Sequence, residues 1–576
     1  MFADRTTLVD GLRNSAATLG DENGITYYDS PDESRYRGYA DLDLRARAIA
    51  DALVRRGFGP GDFAAIGLTA GLDWADAAFG TLYAGLAFVP APVAGYGTGP
   101  QLGDRVAAIA RSAEASLFIT DAGVLERLGG GLPGLDIPVV LLEDLLAEGD
   151  AEAWSPPAID VDSIAYLLFT SGSTGDPKGV IATHGTVIGT ANASGVLFGS
   201  NPSAVLVGWS PMHHIMGLLL QVIIPAVNGA KAVVTSTEQF QRRPVFWLQL
   251  ISKHRGTMTA AGNFAFALCT QLATDEQIAE LDLSSLTAMF SGSEPVRPET
   301  LNAFLERFAS TGITESVIAP VMGMTEANLI SGKFPEDDLV IRRFDAAALE
   351  TGSLEPSTGD GSVEWVSCGR PSDDTTVVIV DPDTFEPVPD GTVGEIWVSS
   401  PMVSPGYFRR PDATAETFGH TLPAIAGSFM RTGDLAAVLD GQLYVTGRLK
   451  EMIIVRGRNL YPQDIEAAAR PLSPAVGIGA AFELANHPSA VGVVLEIDEE
   501  ALGESGEDVD ALADRIRAEL VTRISLPSIA VALVAQGSLP RTATGKVRRG
   551  PTRAQLEQGA IVTLHSSGYR SATLSV

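Results

Sequence analysis

The chain has 576 residues, with 40 Lys and Arg against 70 Asp and Glu, a formal net charge of −30. Such acidity argues against tight nucleic-acid binding, which is driven by basic side chains neutralising phosphates; the length leaves room for roughly three or four structural units with large buried cores. Two cysteines, Cys269 and Cys368, make neither a disulfide framework nor a metal-ligand set, and they fit a reducing cytoplasm.

The opening residues, MFADRTTLVDGLRNSAATLG, lack the basic start and unbroken apolar stretch of a signal peptide. Leu42, Ala46, Ile49 and Leu53 fall at helical spacing, and RRGFGPGD then breaks the helix. Phe63 to Leu68 reads as a short buried strand, and WADAAFGTLYAGLAFVPAP as a helix, a strand and a proline stop. Strands alternating with helices predict an α/β fold of mostly parallel sheet flanked by helices. The longest apolar run, MGLLLQVIIPAV, is too short to span a bilayer. Gly352 to Gly361 is turn-rich and reads as a loop, whereas VVIVDPDTFEPVPDGTVGEIWVSS predicts a small antiparallel β region. After YVTGRLKEMIIVRGRNLYP the pattern is helix DIEAAAR, strand AVGVVLEI, helix DVDALADRIRAELVTRI and strand IAVALVA, a small α+β unit. The chain is therefore divided at Lys450 into a large unit, 1–449, and a small one, 450–576.

The most informative stretch is YLLFTSGSTGDPKGV, Tyr166 to Val180. An apolar strand ends in a loop of Gly, Ser and Thr followed by Lys178. Backbone N–H groups in such a loop can fold around an anion, with hydroxyls and an ammonium adding donors; the same residues also make ordinary surface turns. The loop is not a Walker motif, because Lys178 follows Pro177 rather than the second Gly of G-x-x-x-x-G-K-[ST]. FSGSEPVRPETLNAF from Phe290 reads as a strand ending in Ser291-Gly292-Ser293, then a helix with Pro298 near its start. PVMGMTEANL, RTGDL, GRLK and LPRTATGKVRR carry single charged groups that, taken alone, read as a helix start or as surface charges.

Taken together and in this order, these motifs resemble the adenylate-forming superfamily: acyl-CoA synthetases, luciferases, peptide-synthetase adenylation domains and fatty acyl-AMP ligases. VSCGRP, DGTVGEIWV, GYFRRPDATAETF and YVTGRLKEMIIVRGRNLYPQDIE resemble the fatty acyl-AMP ligases in particular. The resemblance implies a large adenylation domain of stacked sheets and a mobile C-terminal domain that swings about a hinge at Lys450. It places ATP phosphates against Thr170, Ser171, Gly172, Ser173, Thr174, Gly175 and Lys178, and adenine beside Ser293, Glu294, Pro295, Met322, Gly323 and Met324. It gives Thr325 to the α-phosphate, Glu326 to Mg²⁺, Asp434 to the ribose hydroxyls, and Arg448 to ribose or phosphates. Lys546 would span the substrate carboxylate and the α-phosphate. Catalysis would then rest on Lys546, Thr325 and Glu326. A substrate pocket is expected from His214, Ile215, Met216, Asn263 and Phe264, with Phe266 adding to an apolar wall. Three positions depart from the family pattern: Met322 replaces a Tyr, Ile215 an Asp, and Gly262 a Pro.

The implied reaction joins a fatty or related carboxylic acid to AMP with release of pyrophosphate. The acyl group would then pass to the phosphopantetheine thiol of an acyl carrier protein in lipid, polyketide or lipopeptide biosynthesis. Residues 334–365 lie where these ligases carry an insertion thought to hinder the rotation that makes a CoA-using site. The alternatives are an acyl-CoA ligase of the same fold and a nucleotide- or acyl-binding protein without turnover.

Overall fold

The computed structural model describes residues 6–93, 102–170, 178–455, 458–484, 491–524, 526, 528–542 and 546–569. Two sheets carry the first part of the chain. One has six strands in the order Val139–Leu141, Leu117–Thr120, Phe63–Gly67, Ala87–Pro90, Ile164–Thr170 and Lys178–Thr183. Its first five strands are parallel, and the last returns antiparallel with Lys178 opposite Thr170. The other has eight strands, ordered Asn328–Gly332, Ile318–Met324, Ala288–Ser291, Met258–Ala261, Val205–Gly208, Lys231–Thr235, Gly24–Ser30 and Glu33–Gly38. Its six inner strands are parallel and each edge strand runs antiparallel to its neighbour.

The expected helix spans Tyr39–Arg55, and all four residues of its predicted apolar stripe are buried. It packs on the helix Leu72–Tyr83, where Ile49 meets Gly80; a Cβ there would lie 2.4 Å from the Ile49 Cγ2. One continuous core joins these helices to Ile66, Phe88 and Leu168 of the first sheet and to Leu206, Ala232 and Phe290 of the second. Burial on both faces is why such strands read as unbroken apolar runs rather than alternating ones.

The predicted antiparallel region is a third sheet: Thr376–Val380, Gly394–Ser399, Ile425–Leu439 and Gln442–Arg448, with the short His420–Leu422 beside it. Within 334–365 a helix, Ala346–Glu350, follows the strand Ile341–Asp345, which pairs with Ser362–Val366. Phe344, Leu349 and Leu354 from this segment bury themselves against Ala437 and Tyr444 of the third sheet. Near the C-terminus a fourth sheet is ordered Val476–Glu483, Val491–Ile497, Ile529–Ala535 and Thr563–Ser567. Its central strands are parallel across the helix Val509–Ile524, and its core cluster begins at Ile453. The long apolar run is core: a helix Ile215–Leu218, a π-helical turn Leu219–Ile223 and a helix Ile224–Asn228. Among the described residues no helix is long and apolar enough to cross a membrane.

One buried histidine ties the first helix to this core. His184 opens the helix His184–Phe198, and its Nδ1 accepts the Leu8 N–H at 3.1 Å, which requires a neutral ring. Burial pushes its pKa down from 6.5 to about 4. Between those values the unfolded chain binds a proton that the native ring excludes. Stability present above pH 6.5 is thus lost as pH falls toward 4, by up to about 3 kcal/mol. The thermal midpoint should drop across that window, and less steeply in His184→Gln; calorimetry showing equal slopes in both proteins would refute this coupling.

Candidate active site

The candidate site gathers at the carboxyl ends of the parallel strands, the usual crevice of such sheets. The strand Ile318–Met324 turns at Thr325, Glu326 and Ala327 and returns as Asn328–Gly332, so the Thr-Glu pair is the tip of a hairpin rather than a helix start. Asn328 takes the left-handed conformation that a three-residue hairpin loop demands, with φ at 55°. Gly323 admits no side chain, since a Cβ would stand 2.2 Å from the Asn328 carbonyl oxygen. Met322 and Met324 are half-buried and pack on the cluster of Ala327, Ile330, Ile396 and Leu443.

Glu326 is buried, and its Oε1 accepts the Tyr407 hydroxyl at 2.9 Å. Its backbone carbonyl accepts the Ser404 N–H at 2.7 Å. Burial raises the pKa of this carboxyl, opposed first by the Tyr407 hydrogen bond. The Lys178 ammonium lies 4.9 Å from the centre of the same tyrosine ring. Lys178, Tyr407 and Glu326 thus link the strand that follows the Gly-rich loop to the hairpin tip. The sequence reading did not single out Tyr407; its only signal was its place within GYFRRPD. Thr170 ends its strand beside Lys178, and Ser171, Gly172, Ser173, Thr174 and Gly175 lie outside the described residues.

Ser293 is left-handed, with φ at 66°, and Pro295 is exposed. The turn carries Glu294 across to the helix Asn263–Leu272, where its Oε1 accepts the Phe264 N–H at 2.7 Å. A carboxylate at a helix N-terminus complements the helix dipole. This contact accounts for Gly262, because a Cβ there would come within 2.8 Å of the Glu294 Oε1. Asn263 is engaged locally: its amide donates to Thr300 at 3.2 Å and accepts the Arg297 N–H at 3.0 Å. Phe264 sets its ring edge-on to Trp209 and Phe240. Phe266 is fully buried against Trp247 and Phe304, in the same core cluster on which Phe264 packs.

Asp434 and Arg448 face each other across paired strands, with the Arg448 Nε 2.9 Å from the Asp434 Oδ1. Asp434 is buried, and burial raises its pKa against the pull of Arg448 and Lys546. Lys450 lies in the short helical turn Leu449–Glu451, between that strand and the strand Ile453–Val455.

Lys546 comes from the far end of the chain, yet it lies in this crevice. Arg541 bridges to Val547, the Thr542 N–H donates to the Lys546 carbonyl at 2.7 Å, and the Thr542 hydroxyl accepts the Lys546 N–H at 3.1 Å. Glu496 anchors the loop, accepting from the Leu539 N–H at 2.9 Å and pairing with Arg541. Desolvation lowers the ammonium's pKa, opposed first by Glu294 and then by Asp434. His214 feels the same charge: burial, then Lys546, then His213 hold its ring well below the usual histidine range. His214 also caps the helix Ile215–Leu218, its Nδ1 accepting the Met216 N–H at 3.3 Å. Lys546 thereby stands with Glu294, the paired Asp434 and Arg448, and the neutral imidazole of His214, an arrangement that can bind and polarise an anionic substrate.

The model for AMP-binding enzymes matches residues 12–408. The chain is 34% identical to the medium-chain-fatty-acid–[acyl-carrier-protein] ligase JamA of Moorena producens, covering 91% of this chain and 90% of that protein. It is 35% identical to the long-chain-fatty-acid–AMP ligase FadD26 of Mycobacterium tuberculosis, covering 93% and 95%. A solved structure from a study of fatty acyl-adenylate ligases of E. coli and L. pneumophila superposes with a TM-score of 0.86 at 29% identity, covering 97% of this chain and 99% of that one. The chain belongs to the AMP-binding, adenylate-forming enzymes and is similar over nearly its whole length to the fatty acyl-AMP ligases.

Proposed function

We propose that this enzyme activates a fatty or related carboxylic acid with ATP and passes the acyl group to the phosphopantetheine thiol of an acyl carrier protein, within lipid, polyketide or lipopeptide biosynthesis. What supports the reading is Lys546, held in its loop by Thr542 and coupled electrostatically to Glu294, Asp434 and His214. In the first step a carboxylate oxygen bonds to the α-phosphorus, the bond to the β-phosphate bridging oxygen breaks, and pyrophosphate leaves. In the second, the carrier thiol bonds to the acyl carbonyl carbon, the thiol proton is released, and AMP departs. Thr325 and Lys178 would hold phosphate oxygens, the Gly-rich loop would cradle them, and Asp434 would accept the ribose hydroxyls. Glu326 would hold Mg²⁺. Its buried, tyrosine-braced carboxylate suits a hard cation that takes most of its oxygen ligands from phosphates. When bound, the ion neutralises phosphate charge. Residues 450–576 are the moving unit in this scheme and Lys450 is its hinge.

The preference for a carrier over CoA rests on the segment 334–365. Besides packing on the third sheet, it reaches the C-terminal unit through Glu350, whose carboxylate meets Arg458 in a two-pronged pair at 2.7 and 2.6 Å. The test is acid-dependent ATP–pyrophosphate exchange, followed by thioester formation with holo-carrier protein or with CoA. Exchange with a medium-chain acid and acylation of the carrier, with little CoA thioester, is expected. CoA thioester formed as fast as carrier thioester would overturn the carrier reading. In Arg458→Ala the CoA thioester should rise by a factor of about five, the scale of one partly exposed ion pair, with stability changed by under about 1 kcal/mol.

A further inference from the structure

Below the candidate site a narrow cavity is lined by Gly208, Ser210, Met216, Leu220, Gln221 and Phe290, among others. It encloses about 10 Å³, room for one water-sized group. Its position ties it to the site: Met216 donates its N–H to His214, and Phe290 ends in the turn that carries Ser293 and Glu294. The lining is mostly apolar, with Ser210, Thr259 and Gln221 as its polar residues. Gln221 is 3% exposed, and its Nε2 donates to the Ser210 carbonyl at 2.9 Å. Its Oε1 has no hydrogen-bond partner among the described residues.

An amide oxygen fixed in this way is an uncommon feature of an apolar pocket, because a buried acceptor without a partner costs about 1–3 kcal/mol. The surroundings favour it. The Nε2 bond holds the amide plane, and Gly208 leaves the space it needs, since a Cβ there would lie 2.8 Å from the Gln221 Cδ. The residue also sits in the π-helical turn Leu219–Ile223, a local widening often found at functional sites. The structure thus presents one fixed acceptor, on an amide held by its Nε2 bond to Ser210, and a void the size of one polar group.

Resting on the adenylation reading, we propose that the acyl substrate carries a hydrogen-bond donor on its chain, a hydroxyl group, which Gln221 Oε1 accepts at the end of the acyl pocket. A plain alkyl chain entering the same space would leave that oxygen buried and unpaired. A site built to bond a substrate hydroxyl discriminates strongly against the analogue lacking it, whereas a purely hydrophobic pocket discriminates weakly.

The experiment is pyrophosphate exchange by the full chain with hexanoic and octanoic acids and with their monohydroxy derivatives, the hydroxyl moved along the chain carbon by carbon. At one hydroxyl position kcat/KM should exceed that of the unsubstituted acid by about 100-fold or more. In Gln221→Leu that preference should collapse to within a few-fold, through gain on the plain acid as well as loss on the hydroxy acid. Wild-type enzyme that uses the unsubstituted acids as well as every hydroxy acid overturns the inference while leaving adenylation intact, and this arm does not depend on the variant folding. Retention of the hydroxyl preference in Gln221→Leu also overturns it. Exchange with no acid of any kind overturns both this inference and the adenylation reading.

Discussion

Replacing Lys546 with alanine is expected to lower acid-dependent pyrophosphate release by about 10²–10³-fold, the usual loss when one pre-placed donor to developing negative charge is removed. As carboxylate and α-phosphate come together, two anions must approach within bonding distance. A cation between them offsets that repulsion, and it does so best where water is excluded. Lys546 is proposed to fill this role: desolvation lowers its pKa, and Glu294 and Asp434 oppose that shift. ATP affinity should change only a few-fold, because the groups proposed to hold the nucleotide, on the hairpin tip and on the paired strands of Asp434 and Arg448, stay in place when Lys546 is removed. Two measurements separate this role from a structural one. Acyl transfer from chemically made acyl-adenylate to the carrier should stay near wild type in Lys546→Ala, since the lysine serves only the first step. Lys546→Arg should recover little, because a planar fork does not replace a compact ammonium. An alanine variant that adenylates normally would remove the residue from the mechanism.

The periodic parts of the chain were legible because burial on fixed faces writes itself into spacing. Leu42, Ala46, Ile49 and Leu53 pointed to their helix because all four lie in one continuous core, and Phe63 to Leu68 read as a strand because Ala64 and Ile66 join that core while Phe63 and Ala65 are buried in neighbouring clusters. The antiparallel third sheet was legible from its turns. The site was legible only as single charges until the family resemblance ordered them, since Asp434 neighbours both Glu326 and Lys546 through tertiary packing and not through spacing. An aromatic after a strand looks the same whether it faces a pocket or a core, so spacing did not separate Phe264, which is half-buried, from Phe266, which is fully buried. Here Phe266 and Cys269, one helical turn apart, both turn inward. Gln221 has no signal in the apolar run that holds it, because an unpaired atom is something no sequence displays. Tyr407 went unremarked for a similar reason: its partner Glu326 is far away in the chain.

That tyrosine makes the second large effect testable in two parts. Glu326→Gln should reduce pyrophosphate release by about 10²-fold or more and raise the MgCl₂ concentration needed for half-maximal rate, because an amide oxygen is a far weaker ligand for a hard cation than a carboxylate. The glutamine can still accept the Tyr407 hydroxyl, so the hairpin tip should keep its shape. Tyr407→Phe keeps the carboxylate but removes the hydrogen bond that aims it. Partners of this kind are worth about 10–100-fold, so this variant should fall between wild type and Glu326→Gln. It should also shift the Mg²⁺ requirement in the same direction. The phenylalanine ring retains its face toward Lys178, so the change isolates the hydroxyl rather than the aromatic contact. Rates measured across a MgCl₂ titration for the three proteins decide the matter. If Glu326→Gln loses activity with the wild-type Mg²⁺ dependence, the carboxylate serves the hairpin and not the metal. If Tyr407→Phe matches wild type throughout, the 2.9 Å contact positions nothing that catalysis uses.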